Sequence, residues 1–323
     1  MHILRGKTMG TYYQIKYTGP LKAHMGAMVN KLLAELNSEV STYIKTSVIS
    51  RINQNPGEFD LTKTQAFKKR KCRYFIENYR LADSIYRLSD GDFDPTIMPL
   101  VNYWGFGYSK RERRTGTIAP DSIRRLVGMD KIALRNFVIT KSVDGVQLDF
   151  SAVAKGYGVD LIGRLLEQQG IQDFLIDIGG EVLARGEKAK GNPWLVGINT
   201  PKENSRLSDI VLTAPVRDAA IATSGNYRNY YRAGGRKYSH TINPKTGVPE
   251  RNNLLSASIW AKNCSLADAL ATTCMVKGMP EAYDFITKTK GVEGCFIYNL
   301  PSGRDTIVTT RGFEYFHSAK QKK

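Results

Sequence analysis

The chain has 323 residues, 41% of them hydrophobic and 24% charged, with a formal net charge of +17. That composition suits a globular protein of one large domain or two, and no run of about 18 apolar residues is present to cross a bilayer as a helix. The positive excess favours anionic ligands or surfaces. It lies in scattered runs, Lys68 to Lys71, Lys110 to Arg114 and Lys320 to Lys323, without interleaved aromatic residues, which argues against nucleic acid as a partner.

No basic segment followed by an apolar stretch opens the chain, so no signal peptide is expected in it, although an added Met1 on a trimmed chain would read the same way. The cysteines are Cys72, Cys264, Cys274 and Cys295; no pair has CxxC spacing, which argues against zinc. Cys264 and Cys274 have apolar surroundings and are expected to be buried thiols.

In chain order, Lys7 to Thr11 leads into an alternating strand, Tyr12 to Tyr17. A helix is expected from about Leu21 to Val40, then a polar, turn-rich stretch from Ser41 to Asn53 around Tyr43. Apolar side chains at helical spacing, among them Phe67, Tyr74, Phe75, Tyr79, Ile85 and Leu88, predict one long amphipathic helix from Gln65 to Leu88. Ser89 to Pro95 is a turn carrying Asp90, Asp92 and Asp94, with Asp94 held extended by Pro95. Three carboxylates could bind a metal, but the EF-hand continuation is missing, so a structural turn is expected for Asp90 and Asp92. Ser109 to Pro120 is the segment expected to be a mobile loop. Lys131 to Asp149 predicts paired strands with a turn at Asp144-Gly145.

The stretch Leu148 to Asp160 organises the rest. Val146 to Phe150 reads as the end of a strand and Ser151 as a helix cap. Val153, Tyr157, Leu161, Leu165 and Leu166 keep helical spacing up to Gly170, and Phe174 to Ile178 is a buried strand closed by Gly179-Gly180. Lys155 in the first turns would offer phosphate oxygens a cation beside free backbone N–H groups. Gly156 and Gly158 would let another group come close to the backbone. The plainer alternative is an ordinary crossover with a solvated lysine; the glycine pattern is neither a Walker A loop nor GxGxxG. Glu181 to Gly186, Trp194 to Asn199 and Ile210 to Val216 predict antiparallel strands, with loops at 188–193 and 201–207. Ala222 to Tyr231 is polar and turn-rich, Leu254 to Trp260 a strand, and Ser265 to Met275 a helix.

On that last helix Asp268 and Thr272 stand four residues apart, so their oxygens share a face. With a backbone carbonyl and phosphate oxygens they could complete a six-coordinate Mg²⁺ site. The alternative is an Asp favouring the helix dipole and a Thr bonded back to a carbonyl. His240, on a strand before the Asn243-Pro244 turn, could be a general base or a satisfied core histidine. No GxSxG, HExxH or paired-carboxylate pattern is visible.

Taken in order, a set of stretches resembles the ApbE-like FAD:protein FMN transferase (flavin transferase) family. They are Thr8 to Thr11, Ser41 to Tyr43 with Ser50 to Asn53, Gly91 to Pro95 with Pro99 to Gly107, Leu148 to Tyr157 with Asp177 to Glu181, Ala222 to Gly225, Tyr238 to His240 with Asn243 to Gly247, and Ala267 to Thr272. The resemblance implies a mixed α/β (α+β), T-fold-like architecture of antiparallel-rich sheets with packed helices, with FAD in a cleft of a single catalytic domain spanning 1–323. It implies Mg²⁺-dependent transfer of the FMN moiety of FAD onto a Thr or Ser hydroxyl of an acceptor protein, with release of AMP. The alternatives are an FAD pyrophosphatase giving FMN and AMP, or a non-catalytic FAD-binding protein.

By the same resemblance, Met9 and Tyr43 flank the flavin or adenine rings, and Asp92, Phe93 and Asp94 line the FAD site. Asp149, Lys155 and the backbone at Ile242 contact FAD. Mg²⁺ is held by Asp268, Thr272 and the carbonyl of Ala152, and the catalytic pair is His240, as base, with Asp268. The implied partners are acceptor flavoprotein subunits of membrane redox complexes. The implied location is the periplasmic side of the inner membrane, with the signal or lipid anchor absent from this chain, or the cytoplasm if Met1 is the native start. Three positions depart from the family pattern: Asp92 where a small residue is common, Asn243 where Asp is frequent, and Ala271 where some members carry a second acid near the metal.

Overall fold

The computed structural model describes every residue except 108–117, 190, 203, 204, 207, 227–229 and 318–323. Most of the loop expected at Ser109 to Pro120 therefore lies outside the described residues. Two units are traced: Met1–Leu33 with Lys155–Arg228 and Asn252–Lys323, and Ala34–Ala154 with Asn229–Arg251.

The first unit is built on an eight-stranded sheet in the order His2–Thr8, Thr11–Tyr17, Phe174–Ile178, Glu181–Arg185, Ala219–Gly225, Leu254–Ala261, Val292–Asn299, Asp305–Thr309. Every neighbouring pair is antiparallel. Side chains alternate between faces along a strand, and here both faces are buried. Ile176, Leu183 and Ala220 point to one side, packed with Val159, Ile162 and Leu166 of the helix Ala154–Gln168. Leu175, Val182, Ala184, Ala219 and Ile221 point to the other, against Trp194, Ile198, Leu212 and Val216 of a three-stranded sheet. That is why the central strands read as continuous apolar runs rather than alternating ones.

Tight turns set the registers. Met9 and Gly10 (φ 50° and 74°) join Thr8 to Thr11, and Gly179 and Gly180 (φ 62° and 107°) join Ile178 to Glu181. The first half of Ala222 to Tyr231, expected as turn, is instead the inner strand Ala219–Gly225. Its hydroxyls are absorbed by partners: Thr223 meets Ser258 at 2.7 Å and Ser224 meets Thr272 at 3.2 Å.

In the second unit the helix expected from Gln65 to Leu88 is broken into Gln65–Arg70 and Arg73–Leu88. Lys71 and Cys72 both take positive φ (54° and 50°) between them. Thr64 caps the first piece through the N–H of Phe67 (3.1 Å), and Cys72 is fully buried with its Sγ 3.1 Å from the same hydroxyl. Burial of that thiol and a complete helix end outweigh the uninterrupted periodicity. A further helix, Val48–Gln54, occupies the stretch read as turn and is capped by Ser47. The hairpin of Ile132–Arg135 and Val138–Lys141 turns at Asn136-Phe137 (φ 48° and 63°), not at Asp144-Gly145. Val146 to Phe150 is not a strand: beyond one bridge from Gln147 to Ile97, the Asn53 amide bonds both the carbonyl (2.8 Å) and the N–H (2.7 Å) of Leu148, and the N–H of Asp149 bonds the carbonyl of Pro95.

All four cysteines are free and buried. Buried too is Lys141, whose ammonium donates to the carbonyls of Ile52 (2.6 Å) and Asn55 (2.9 Å) at the end of the Val48–Gln54 helix. Burial pushes its pKa down to about 8 from 10.5, with Asp144 opposing. Between those values the unfolded chain binds the extra proton, so this group makes stability rise with pH across that window. Urea unfolding at pH 7.5 and 10.5 should show the stability of the wild type, relative to Lys141→Met, rising by about 1–3 kcal/mol. A pH-independent difference would mean that the ammonium stays charged in the fold.

Candidate active site

Two helices of the first unit are locked together at the residues of interest. Gly156, on Ala154–Gln168, has no room for a side chain: a Cβ there would sit 2.4 Å from the carbonyl oxygen of Cys264. Its N–H donates to Oδ2 of Asp268 at 3.0 Å. One turn on, the Asp160 carboxylate accepts from the N–H groups of Cys264 (2.8 Å) and Ser265 (3.0 Å) and from the Ser265 hydroxyl (2.6 Å). It thus caps the helix Cys264–Lys277 from outside. The close approach expected at Gly156 is present, and the group that approaches is the protein's own backbone.

This docking places three charges side by side. The Lys155 ammonium hydrogen-bonds Oε1 of Glu181 and lies 3.7 Å from Oδ1 of Asp268. Both carboxylates are buried, Glu181 4% and Asp268 2% exposed. Oε2 of Glu181 is buried with no hydrogen-bond partner among the described residues. Burial pushes Glu181 up to about 7, against the pull of Lys155. Burial works against the lysine charge, but Asp268 and Glu181 hold its pKa above the ordinary range. With both carboxylates ionised around one ammonium, the cluster carries an excess negative charge that a further cation would balance.

The donors fit a hard one. Thr273 bonds back to the carbonyl of Ala269 (2.9 Å), while Thr272, beside it, turns its hydroxyl to Ser224. Thr272 is therefore not spent on its own helix. Ala271 is fully buried. Among the described residues no three His, Cys, Asp or Glu gather to hold a metal. An ion at Asp268 and Thr272 would take its remaining ligands from backbone, water or substrate oxygens, as Mg²⁺ does.

In the second unit two Asp-x-Ser/Thr turns mirror each other. Asp94 Oδ1 accepts from the N–H (2.7 Å) and hydroxyl (2.6 Å) of Thr96, and Asp149 Oδ1 from the N–H (2.9 Å) and hydroxyl (2.6 Å) of Ser151. The N–H of Asp149 donates to the carbonyl of Pro95 at 2.7 Å, which brings the two together. Burial raises the pKa of both carboxyls. Phe93 is buried, Tyr43 is exposed, and Ala152 lies in the turn before the helix at Ala154.

Two of the departures have local partners. Asp92 pairs with Lys245 at 2.9 Å. Asn243 accepts from the N–H groups of Lys245 and Thr246 and donates its amide to Oε1 of Glu250 (2.7 Å), where an Asp would meet a like charge. Ile242 bridges Pro249 just before that turn, and the Trp104 indole donates to the carbonyl of Gly247 at its end (2.9 Å). His240 is not on the strand, which stops at Ser239; it is an exposed bend residue with its ring 6.5 Å from Phe106. Exposure sets aside the core-histidine alternative.

Of the residues singled out, Met9, Lys155, Asp268 and Thr272 belong to the first unit, and Tyr43, Asp92, Phe93, Asp94, Asp149, Ala152, His240 and Ile242 to the second. Lys155 meets Asp268, and the turns of Asp94 and Asp149 are joined through the carbonyl of Pro95. The sequence assigns no role to Glu181; its one signal is a carboxylate directly after two glycines, ahead of the apolar Val182 to Ala184.

The family model described as "ApbE family" matches residues 9–296. An FAD:protein FMN transferase of Vibrio cholerae is 36% identical over 280 residues, covering 85% of this chain and 81% of that protein. One of Haemophilus influenzae is 33% identical over 295 residues, covering 88% and 83%. The solved flavin transferase ApbE from Vibrio cholerae superposes with a TM-score of 0.81 at 32% identity over 97% of each chain. The apo flavinyl transferase ApbE of Pseudomonas stutzeri gives 0.81 at 30% identity, over 96% of this chain and 94% of that one.

The helix docking has a direct test. Gly156→Ala should lower stability by about 1–3 kcal/mol in chemical denaturation, because its methyl group meets backbone that cannot rotate away. An unchanged midpoint would show that the two helices are free to separate there.

Proposed function

This chain belongs to the ApbE family, and from that premise we propose that it is an FAD:protein FMN transferase whose product is a Thr or Ser side chain carrying FMN through a phosphoester bond. The acceptor hydroxyl oxygen attacks the FMN phosphorus, the pyrophosphate bond of FAD breaks, and AMP leaves. The observation that carries the reading is the buried cluster of Lys155, Glu181 and Asp268, with the Thr272 hydroxyl one helical turn from Asp268.

Mg²⁺ held by Asp268 and Thr272 would supply the charge that a cleaved diphosphate needs. Lys155 offers a second positive charge to the phosphate oxygens. His240, exposed and placed before a turn that Asn243 and Trp104 hold rigid, takes the proton from the acceptor hydroxyl and becomes imidazolium. Met9, Tyr43, Asp92, Phe93, Asp94, Asp149 and the backbone at Ile242 are assigned to binding FAD. Among the described residues no helix is long and apolar enough to cross a membrane. We assign the acceptors to flavoprotein subunits of membrane redox complexes and the reaction to the periplasmic side.

The test combines purified protein, FAD, Mg²⁺ and an acceptor bearing a Thr-containing segment. Flavin fluorescence on a denaturing gel reports transfer, and AMP and FMN are assayed in solution. A fluorescent acceptor band is expected, lost in Asp268→Asn. His240→Ala should still bind FAD and lose transfer by about 10²–10⁴-fold. AMP and free FMN without a band would mean hydrolysis instead, and a His240→Ala enzyme working at the wild-type rate would remove the base.

A further inference from the structure

Glu181 is a buried charge that the transfer chemistry above does not use. It is the first residue of the inner strand Glu181–Arg185, directly behind the Gly179-Gly180 turn, paired with Ile178 on one side, and the residues that follow it, Val182 to Ala184, are paired on both. Its carboxylate therefore stands on rigid scaffold. Lys155 and Asp268 come from two different helices. The ammonium is shared unequally: it hydrogen-bonds Glu181 and only approaches Asp268, at 3.7 Å. The second oxygen of Glu181 is buried and has no hydrogen bond among the described residues. An ammonium has three protons and no acceptor, so that oxygen is a spare place for a second of them.

We propose that Glu181 is a positioning residue that draws the Lys155 ammonium off Asp268 and so leaves the Asp268 carboxylate open to a divalent cation. Without Glu181, nothing on the strand competes for the ammonium. Lys155 then closes the gap, forms a direct ion pair with Asp268, and occupies electrostatically the place of the metal. With Glu181 present, a cation arriving at Asp268 pushes the ammonium further onto the two Glu181 oxygens, and the lysine stays charged and near the phosphates. The proposal rests on the assignment of Asp268 and Thr272 as cation ligands.

The experiment is calorimetric titration of the metal-free full-length chain with Mg²⁺ alone, without FAD or acceptor. Wild type should bind, and Asp268→Asn should not; if Asp268→Asn binds as well as wild type, the cation assignment itself is wrong and this inference falls with it. Given that control, Glu181→Gln, which keeps the shape, should weaken Mg²⁺ about tenfold, as supporting groups around metal ligands do. Lys155→Met should tighten binding, since a competing cation is gone. In the Lys155→Met background Glu181→Gln should weaken binding by less than about threefold, because the group it acts through is missing. Equal losses in both backgrounds would reduce Glu181 to a distant charge and overturn the proposal, as would unaltered affinity in Glu181→Gln. Should Glu181→Gln fail to fold, Lys155→Met alone decides: tighter Mg²⁺ binding supports the competition, and unchanged or weaker binding ends it.

Discussion

An ammonium held between two buried carboxylates is the constraint that the first unit is arranged to satisfy. Removing such groups from water is expensive unless each finds hydrogen bonds and opposite charge. Lys155, Glu181 and Asp268 come from a helix, a strand and a second helix, so none of them can be placed by local folding alone. The supporting contacts are two sets of hydrogen bonds and one close backbone approach. Asp160 caps the second helix, the N–H of Gly156 bonds Asp268, and the absent side chain of Gly156 lets the helices meet. The apolar layers on both faces of the large sheet supply the stability against which this arrangement is held.

The second unit handles its carboxylates differently. Asp94 and Asp149 each fold back onto a hydroxyl and an N–H two residues later, and one backbone bond ties the turns together. Two further side chains of this unit follow the same economy. Asp92 comes with Lys245, and Asn243 comes with Glu250, so each side chain finds its partner within the unit.

Much of this was legible in the sequence where a pattern is local. Alternation marks the strand at Tyr12 to Tyr17, the glycine pair marks the turn before Glu181, and helical periodicity places Asp268 and Thr272 on one helix. What misled was context that only the folded chain supplies. The buried thiol of Cys72 splits a helix whose apolar spacing is unbroken. Asn53, 95 residues away in sequence, takes over the hydrogen bonds of Leu148, so an apparent strand does not form. Hydroxyls at Thr223 and Ser224 looked like loop chemistry and are partners across strand and helix. The pairing of Glu181 with Lys155 is hidden for the same reason: 26 residues separate them, and only the fold brings the carboxylate to its cation.

The cysteines carry a consequence of their own. Burial raises the pKa of every thiol, Cys72 to about 11, Cys295 to about 12, and Cys264 and Cys274 well above the usual range. At neutral pH almost no thiolate exists to meet an alkylating reagent. Cys264 sits at the helix end that Asp160 caps, Cys274 further along the same helix, and Cys295 on the Val292–Asn299 strand. The intact molecule is therefore silent to such reagents, and each thiol becomes a clock for the opening of its own region, with the Cys264 signal timing the moments when the helix bearing Asp268 lets go.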